Sequence, residues 1–282
     1  MATPATPVDG AFCPPRGPQG NAIVFEDVHL AFEENHVLRG VSFHLPLGET
    51  KALFGVAGSG KSSILKLALG LMRPDSGKIT VLGKEVTQMR EQELFPLRGH
   101  LGMVFQESAL FDSLTVRENV AYRIVEEHGD YDDDADRRVR EALRFVELEH
   151  TIDLFPSELS GGMRRRVAIA RAIITQPELL LYDSPTGGLD PVTSNTIVEL
   201  IVKQRDVNQT SSLLVTHRLQ DAFTMATHQF DKKTNQLRRL PRGQYCDLPM
   251  SFLILRDGKV IFDGDVRQLA TTHDEYIKEY IS

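Results

Sequence analysis

The stretch "ETKALFGVAGSGKSSILKLALGLM", residues 49–72, decides how the rest of the chain is read. It climbs as a short apolar strand, passes through a glycine-rich turn and continues with Ile64, Leu65, Ala68 and Leu69 on one helical face until "RPDSGK" breaks the pattern. Within it "GVAGSGKSS", residues 55–63, matches Gly-x-x-x-x-Gly-Lys-[Ser/Thr] and sits between strand and helix, as that motif requires. The chemistry is anion binding. Glycines let backbone N–H groups turn onto phosphate oxygens at a helix N-terminus, Lys61 adds a point charge, and Ser62 offers a hydroxyl to Mg²⁺. Gly55, Val56, Ala57, Gly58, Ser59, Gly60, Lys61, Ser62 and Ser63 are therefore the expected cradle for a nucleotide's phosphates.

Outward from the motif, "AIVFEDVHLAF" (22–32) and "HVLRGVSFHL" (36–45) have the alternation of paired strands. Downstream, "SELSGGMRRRVAIARAII" (157–174) reads as a turn feeding a helix, and "ELLLYD" (178–183) and "SSLLVTH" (211–217) read as buried strands. "DPVTSNTIVELIVKQ" (190–204) reads as a helix with Asp190 as N-cap and Pro191 in its first turn. Strands alternating with helices predict an α/β fold with a mostly parallel sheet covered on both faces. Asp183 ends its apolar strand, and paired with the glycine-rich loop it is the expected second Mg²⁺ holder.

Composition sets the outer limits. With 282 residues, 41% hydrophobic and 25% charged, the chain can bury a full core. No run approaches the roughly 18 apolar residues of a membrane span, and "MATPATPVDGAFCPPRGPQG" lacks a secretory pattern, so the expectation is a cytoplasmic protein with a disordered lead over residues 1–20. Cys13 and Cys246 have neither metal nor disulfide spacing. A net charge of −7 argues against nucleic acid as a partner.

About twenty residues before the Asp183 strand lies "LSGGM", residues 159–163, which resembles the signature of ATP-binding-cassette (ABC) ATPases. Other motifs follow in that family's order: Phe32 at the adenine-stacking aromatic, Gln106 in "MVFQ" at the Q-loop, "GGLD" ending at Asp190 at the D-loop, and His217 in "LLVTHR" at the switch histidine. The resemblance implies a P-loop NTPase cassette with a RecA-like, mostly parallel sheet, an antiparallel β-subdomain and an inserted α-helical subdomain. It implies a cassette domain over 21–265, with the helical subdomain at about 107–165, an insertion at 228–249, and a C-terminal helix over 266–282. It also implies a head-to-tail pair with a second copy, in which Ser160, Gly161 and Gly162 of one chain face the γ-phosphate held by the other, and Gln106 joins Ser62 and Asp183 at the Mg²⁺.

Residues 102–122, "GMVFQESALFDSLTVRENVAY", with methionine closing the signature, resemble cassettes of Mla/Mce-type phospholipid transport systems. That implies an integral-membrane permease docking at Ala109, Leu110, Phe111 and Leu114, a place on the cytoplasmic face of the inner membrane, and further partners: an accessory cytosolic subunit and a lipid-binding Mce protein. Two charge runs stand out, the first of them an insertion where the family usually connects quickly. Residues 228–249 hold five cations, Lys232, Lys233, Arg238, Arg239 and Arg242, against Asp231 and Asp247, and read either as a solvated hairpin extension or as a contact for acidic lipid or protein. The acidic run 126–136 reads as a capping, solvated loop.

The main departure is Ser184, which stands where the family carries a catalytic glutamate. A serine hydroxyl can orient water but cannot accept its proton near neutral pH, a role worth typically 10²–10⁴-fold. The remaining catalysis falls to Lys61, Gln106, His217 and the opposing signature. Three readings stand open: a natural variant in which His217 or another group orients water, a slow or non-hydrolysing ATP-gated regulatory cassette, and an engineered trap. The intact "SPTGGLDP" (184–191) favours a natural, slow but competent ATPase.

Overall fold

The structure, a computed structural model, describes residues 20–241 and 248–281. Most of the N-terminal lead, both cysteines, Arg242 and Asp247 lie outside them. The chain opens with an antiparallel hairpin, β1 (Asn21–Phe32) and β2 (Asn35–Pro46), followed by β3 (Thr50–Gly55) and α1 (Lys61–Ala68). Next come β4 (Ser76–Val81), β5 (Lys84–Glu85), α2 (Glu91–Gly99), β6 (Leu101–Val104), and three helices, α3 (Val116–His128), α4 (Asp133–Phe145) and α5 (Gly161–Ile173). Then follow β7 (Leu179–Asp183), α6 (Pro191–Asn208), β8 (Ser211–Val215), α7 (Leu219–Thr227), β9 (His228–Asp231) and β10 (Gln236–Arg239). The chain closes with β11 (Met250–Arg256), β12 (Lys259–Gly264), α8 (Val266–Thr271) and α9 (Glu275–Ile281). The stretch 266–282, expected as one helix, forms two within its described residues, separated at Thr272, whose backbone leaves helical conformation.

The main sheet has the order β12-β11-β3-β8-β7-β6; only β12 is antiparallel to its neighbour. A second, antiparallel sheet has the order β2-β1-β4-β5. The β3, β7 and β8 strands are almost wholly buried, and side-chain alternation sends their neighbouring apolar residues into two different cores. Ala52, Phe54, Leu180, Tyr182 and Leu214 pack with the helices α3 to α6. Leu53, Leu179, Leu181, Leu213 and Val215 face the antiparallel sheet and α1. Each fully buried Leu or Phe contributes roughly 1.5–3 kcal/mol, so the two-sided pattern specifies the register strongly. The cassette arrangement expected from the sequence is the one observed.

The helix α1 ends earlier than its apolar pattern. Gly70 takes φ +64, and a Cβ there would fall 2.6 Å from Leu94, so the chain turns at a point where α2 approaches closely. The basic segment begins as the β9–β10 hairpin, anchored to α6 by Phe230, whose N–H donates to Asp206 and whose ring lies 5.5 Å from Lys203 Nζ. Asp132 in the acidic run caps α4, and Asp136 pairs with Arg117 and Arg140. In α9 Ile277 is buried, and Arg256 covers the Tyr276 ring at 4.3 Å, so the C-terminus docks on its own chain.

Candidate functional site

Four parallel strands, β3, β8, β7 and β6, lie side by side and deliver their C-terminal ends to one edge of the sheet. The chain leaves that edge as the glycine-rich loop after β3, His217 after β8, Asp183 and Ser184 at the end of β7, and Gln106 after β6. This is where an open α/β sheet binds ligands. Residues far apart in sequence are brought together by strand register alone.

In the loop, Lys61 Nζ donates to the carbonyls of Gly55 at 2.8 Å and Val56 at 2.7 Å, which holds the ammonium at the mouth of α1. Partial burial pulls the Lys61 pKa below the usual lysine value, and the Asp183 charge opposes that shift. The helix α1 starts from Gly60 at φ +93 with no side-chain cap, whereas Thr115, Asp132, Ser160 and Asp190 cap α3, α4, α5 and α6. A Cβ on Gly58, at φ +80, would meet nothing within 4 Å, so the loop borders open space. Uncapped N–H groups, an ammonium, the Ser62 and Ser63 hydroxyls and the Asp183 carboxylate form a donor set that fits a metal-bound polyphosphate. Phe32 ends β1 with 49% of its surface exposed, free to present a ring face.

Asp183 and Ser184 sit on a sharp exit from β7. Ser184 has φ +46, a left-handed conformation uncommon for serine, held by its N–H donating to Val215 O at 2.9 Å and its carbonyl accepting from Gly187 N at 2.9 Å. Gln106 is exposed, and a Cβ on Gly187 would fall 3.8 Å from its Cγ, so the loops after β6 and β7 are adjacent. His217 is exposed at the bend after β8. The next residue, Arg218, donates to Ser194 Oγ at 2.5 Å, while Thr186 donates to the buried Asp221 at 2.5 Å, tying the His217 segment to the β7 exit and to α6.

At the start of α5, Ser160 Oγ accepts from Met163 N at 3.2 Å. Asp190 accepts from Val192 and Thr193 at the start of α6, and the Thr193 hydrogen bonds hold its pKa below the usual carboxylate value. A Cβ on Gly162 would lie 2.3 Å from Thr193 Cγ2, so only glycine lets the two helix starts touch. Ser160, Gly161 and Asp190 thereby share one exposed corner. A second exposed region, an apolar groove, is lined by Phe95, Phe105, Phe111 and Tyr122. Ala109 and Phe111 face it, but Leu110 is partly buried against the helical core, following the left-handed turn at Ser108 and Ala109. Leu110 is therefore a packing residue, which corrects its expected outward role.

Sequence reading missed Arg165, Arg171, Thr186, Arg218 and Asp221. Arginines in an α5 pattern look like a solvated face. Their donors instead enter the interior and end on backbone carbonyls of loops that sequence cannot position, as with Arg171 to Ser108 O at 2.9 Å and Ala109 O at 2.8 Å.

Residues 38–187 match the family model described as ABC transporter. The chain is 35% identical over 283 residues to the protein TRIGALACTOSYLDIACYLGLYCEROL 3, chloroplastic, of Arabidopsis thaliana, an alignment covering 96% of this chain and 77% of that one. It is 40% identical over 181 residues to the methionine import ATP-binding protein MetN of Bifidobacterium longum, covering 64% of this chain and 44% of that longer protein. Among solved structures it resembles the dimeric post-hydrolysis state of the ATP-binding cassette MJ0796 bound to ADP and Pi, with a TM-score of 0.72 and 26% identity over 87% of this chain and 99% of that one.

Proposed function

The chain belongs to the ABC transporter family, as an ATP-binding cassette and ATPase, and from that premise we propose that it powers phospholipid transport through a membrane permease. The observation that carries the nucleotide reading is the convergence of the glycine-rich loop, Gln106, Asp183 and His217 on one sheet edge. In this reading Phe32 stacks the adenine, the N–H groups of residues 55–63 and Lys61 hold the phosphates, and Ser62, Asp183 and Gln106 hold Mg²⁺. The metal supplies charge neutralisation on the phosphates. Ser184, at the β7 exit, orients water by its hydroxyl together with His217 and Gln106, without accepting a proton. A second copy, arranged head to tail, brings Ser160, Gly161 and Gly162 to the γ-phosphate, with Asp190 fixing the neighbouring helix start. Support for that pairing is the exposed corner that Ser160, Gly161 and Asp190 form and the dimeric state named for MJ0796.

The Phe95, Phe105, Phe111 and Tyr122 groove receives the permease. Among the described residues no helix is long and apolar enough to cross a membrane. In this reading the chain sits on the cytoplasmic face of an inner membrane, held by the permease. The phospholipid cargo rests on the resemblance of residues 102–122 to Mla/Mce-type cassettes and on the near-complete coverage of the chain by a relative named for a galactolipid. A lipid-binding Mce protein and an accessory cytosolic subunit complete the assembly. The alternative with a specific observation behind it is a slow or non-hydrolysing ATP-gated cassette, on account of Ser184. The test is co-purification through the tagged chain and reconstitution of the complex in vesicles with labelled phospholipid. ATP-dependent phospholipid transfer supports the proposal. ATP turnover stimulated by methionine and unaffected by lipid overturns the cargo.

A further inference from the structure

Arg165 enters none of the nucleotide contacts above, yet it is 4% exposed in the middle of the site. It lies on α5 and its guanidinium reaches between the exits of β6 and β7. Nη1 donates to Ser184 O at 3.1 Å and, at the long end, to Phe105 O at 3.4 Å. Nη2 donates to Gln106 O and, again at long range, to Gly187 O at 3.5 Å. Nε has no partner among the described residues, and the acceptors of the guanidinium there are all backbone carbonyls. Burial lowers its pKa from the usual guanidinium value, with the Glu107 charge opposing. Burying a cation among neutral acceptors costs stability, so its place is set by something other than a favourable ion pair.

What the fork joins is specific. Gln106 and Ser184 leave adjacent strands, and nothing else described here bonds both carbonyls at once. We infer that Arg165 is a positioning residue for ATP hydrolysis, fixing the Gln106 and Ser184 loops at one separation so that their side chains orient the attacking water. A planar guanidinium with diverging donors can span two loops; one ammonium or one amide cannot do so with the same geometry. Where no carboxylate serves as base, water orientation carries more of the rate, and misplacement by about 1 Å can cost roughly 10²-fold. The inference rests on the chain being an ATPase, and the wild-type turnover tests that premise separately.

The experiment compares R165Q, R165K and R166Q in the full chain. Arg166 is the adjacent control: it donates to Val146 O at 3.2 Å, away from both loops. The expected result is a kcat loss of roughly 10²-fold in R165Q, with ATP affinity and KM within about twofold, because the phosphate cradle is untouched. R166Q, compared with R165Q for its loss of Tm, keeps kcat. If R165Q does not fold, R165K decides: it keeps the charge but cannot bridge both loops, and a wild-type kcat in R165K overturns the assignment. Equal kcat losses in R165Q and R166Q, or a parallel loss of binding and turnover in R165Q, overturn it as well.

Discussion

Lys61 is held by two carbonyls at less than 3 Å and partly stripped of water, so its charge is already directed at the loop mouth. Removing it as Lys61→Ala should weaken ATP binding by roughly 10–150-fold, the range for losing about 1.5–3 kcal/mol of charged hydrogen bonding. Unchanged affinity by calorimetry would displace the site. The pH dependence follows in sign. A lowered lysine pKa means that, before phosphate binds, the cation is lost at a lower pH than for a free lysine, so ATP affinity should fall on the alkaline side before the ordinary lysine range. The same shift leaves the folded state holding fewer protons than the unfolded one between the two pKa values, so stability of the ATP-free chain rises with pH across that window. Ser184 is the second residue-scale question. Its left-handed backbone already tolerates a non-glycine side chain, so Ser184→Glu adds a carboxylate without a new backbone penalty. Turnover should rise by at most roughly 10²–10⁴-fold, and less where another group already orders the water. His217→Ala should lower turnover more in the natural chain than in Ser184→Glu; equal losses would mean that His217 does not orient the water.

At the element scale, the strands were legible and the side-chain ties between them were not. The pairing of β1 with β2, the burial of β3, β7 and β8, the Asp190 cap of α6 and the closing β11–β12 hairpin all follow from local alternation and capping chemistry. That the glycine-rich loop, Gln106, Asp183 and His217 leave one sheet edge was legible because motifs in fixed order mark the ends of strands that run parallel. The interior bonds of Arg165, Arg171 and Asp221 depend on loop carbonyls 19–63 residues away, or on a turn such as that of Thr186, and no periodicity encodes them. The same limit misplaced Leu110. Its neighbour Phe111 is 43% exposed, lies 4.6 Å from the Tyr122 ring and 6.0 Å from the Arg171 guanidinium, and belongs to the groove. Phe111→Asp should therefore release the permease in pull-down while leaving Tm and ATP binding near wild type. Leu110→Asp should instead lower Tm, since it places a charge against the core. Retention of the permease by Phe111→Asp would remove the groove from the docking account.

At the scale of the whole molecule, one sheet serves two cores. The face packed on α3 to α6 carries the signature helix and the groove, and the face packed on the antiparallel sheet carries α1 and the end of β1 with Phe32. Strands shared by both faces place the cradle between a nucleotide-side layer and a partner-side layer, a layout suited to linking ATP state to a membrane protein. The exposed corner of Ser160, Gly161 and Asp190 caps its own helices and leaves its outward surface for a second chain. A hydrolytic site completed by that second copy, with serine in place of a base, is the central claim, and its most direct test is phosphate release from Mg-ATP measured across chain concentrations beside Lys61→Ala. The account predicts wild-type release clearly above the variant, slow, and rising per chain with concentration as pairs form. Release indistinguishable from Lys61→Ala at every concentration would contradict it.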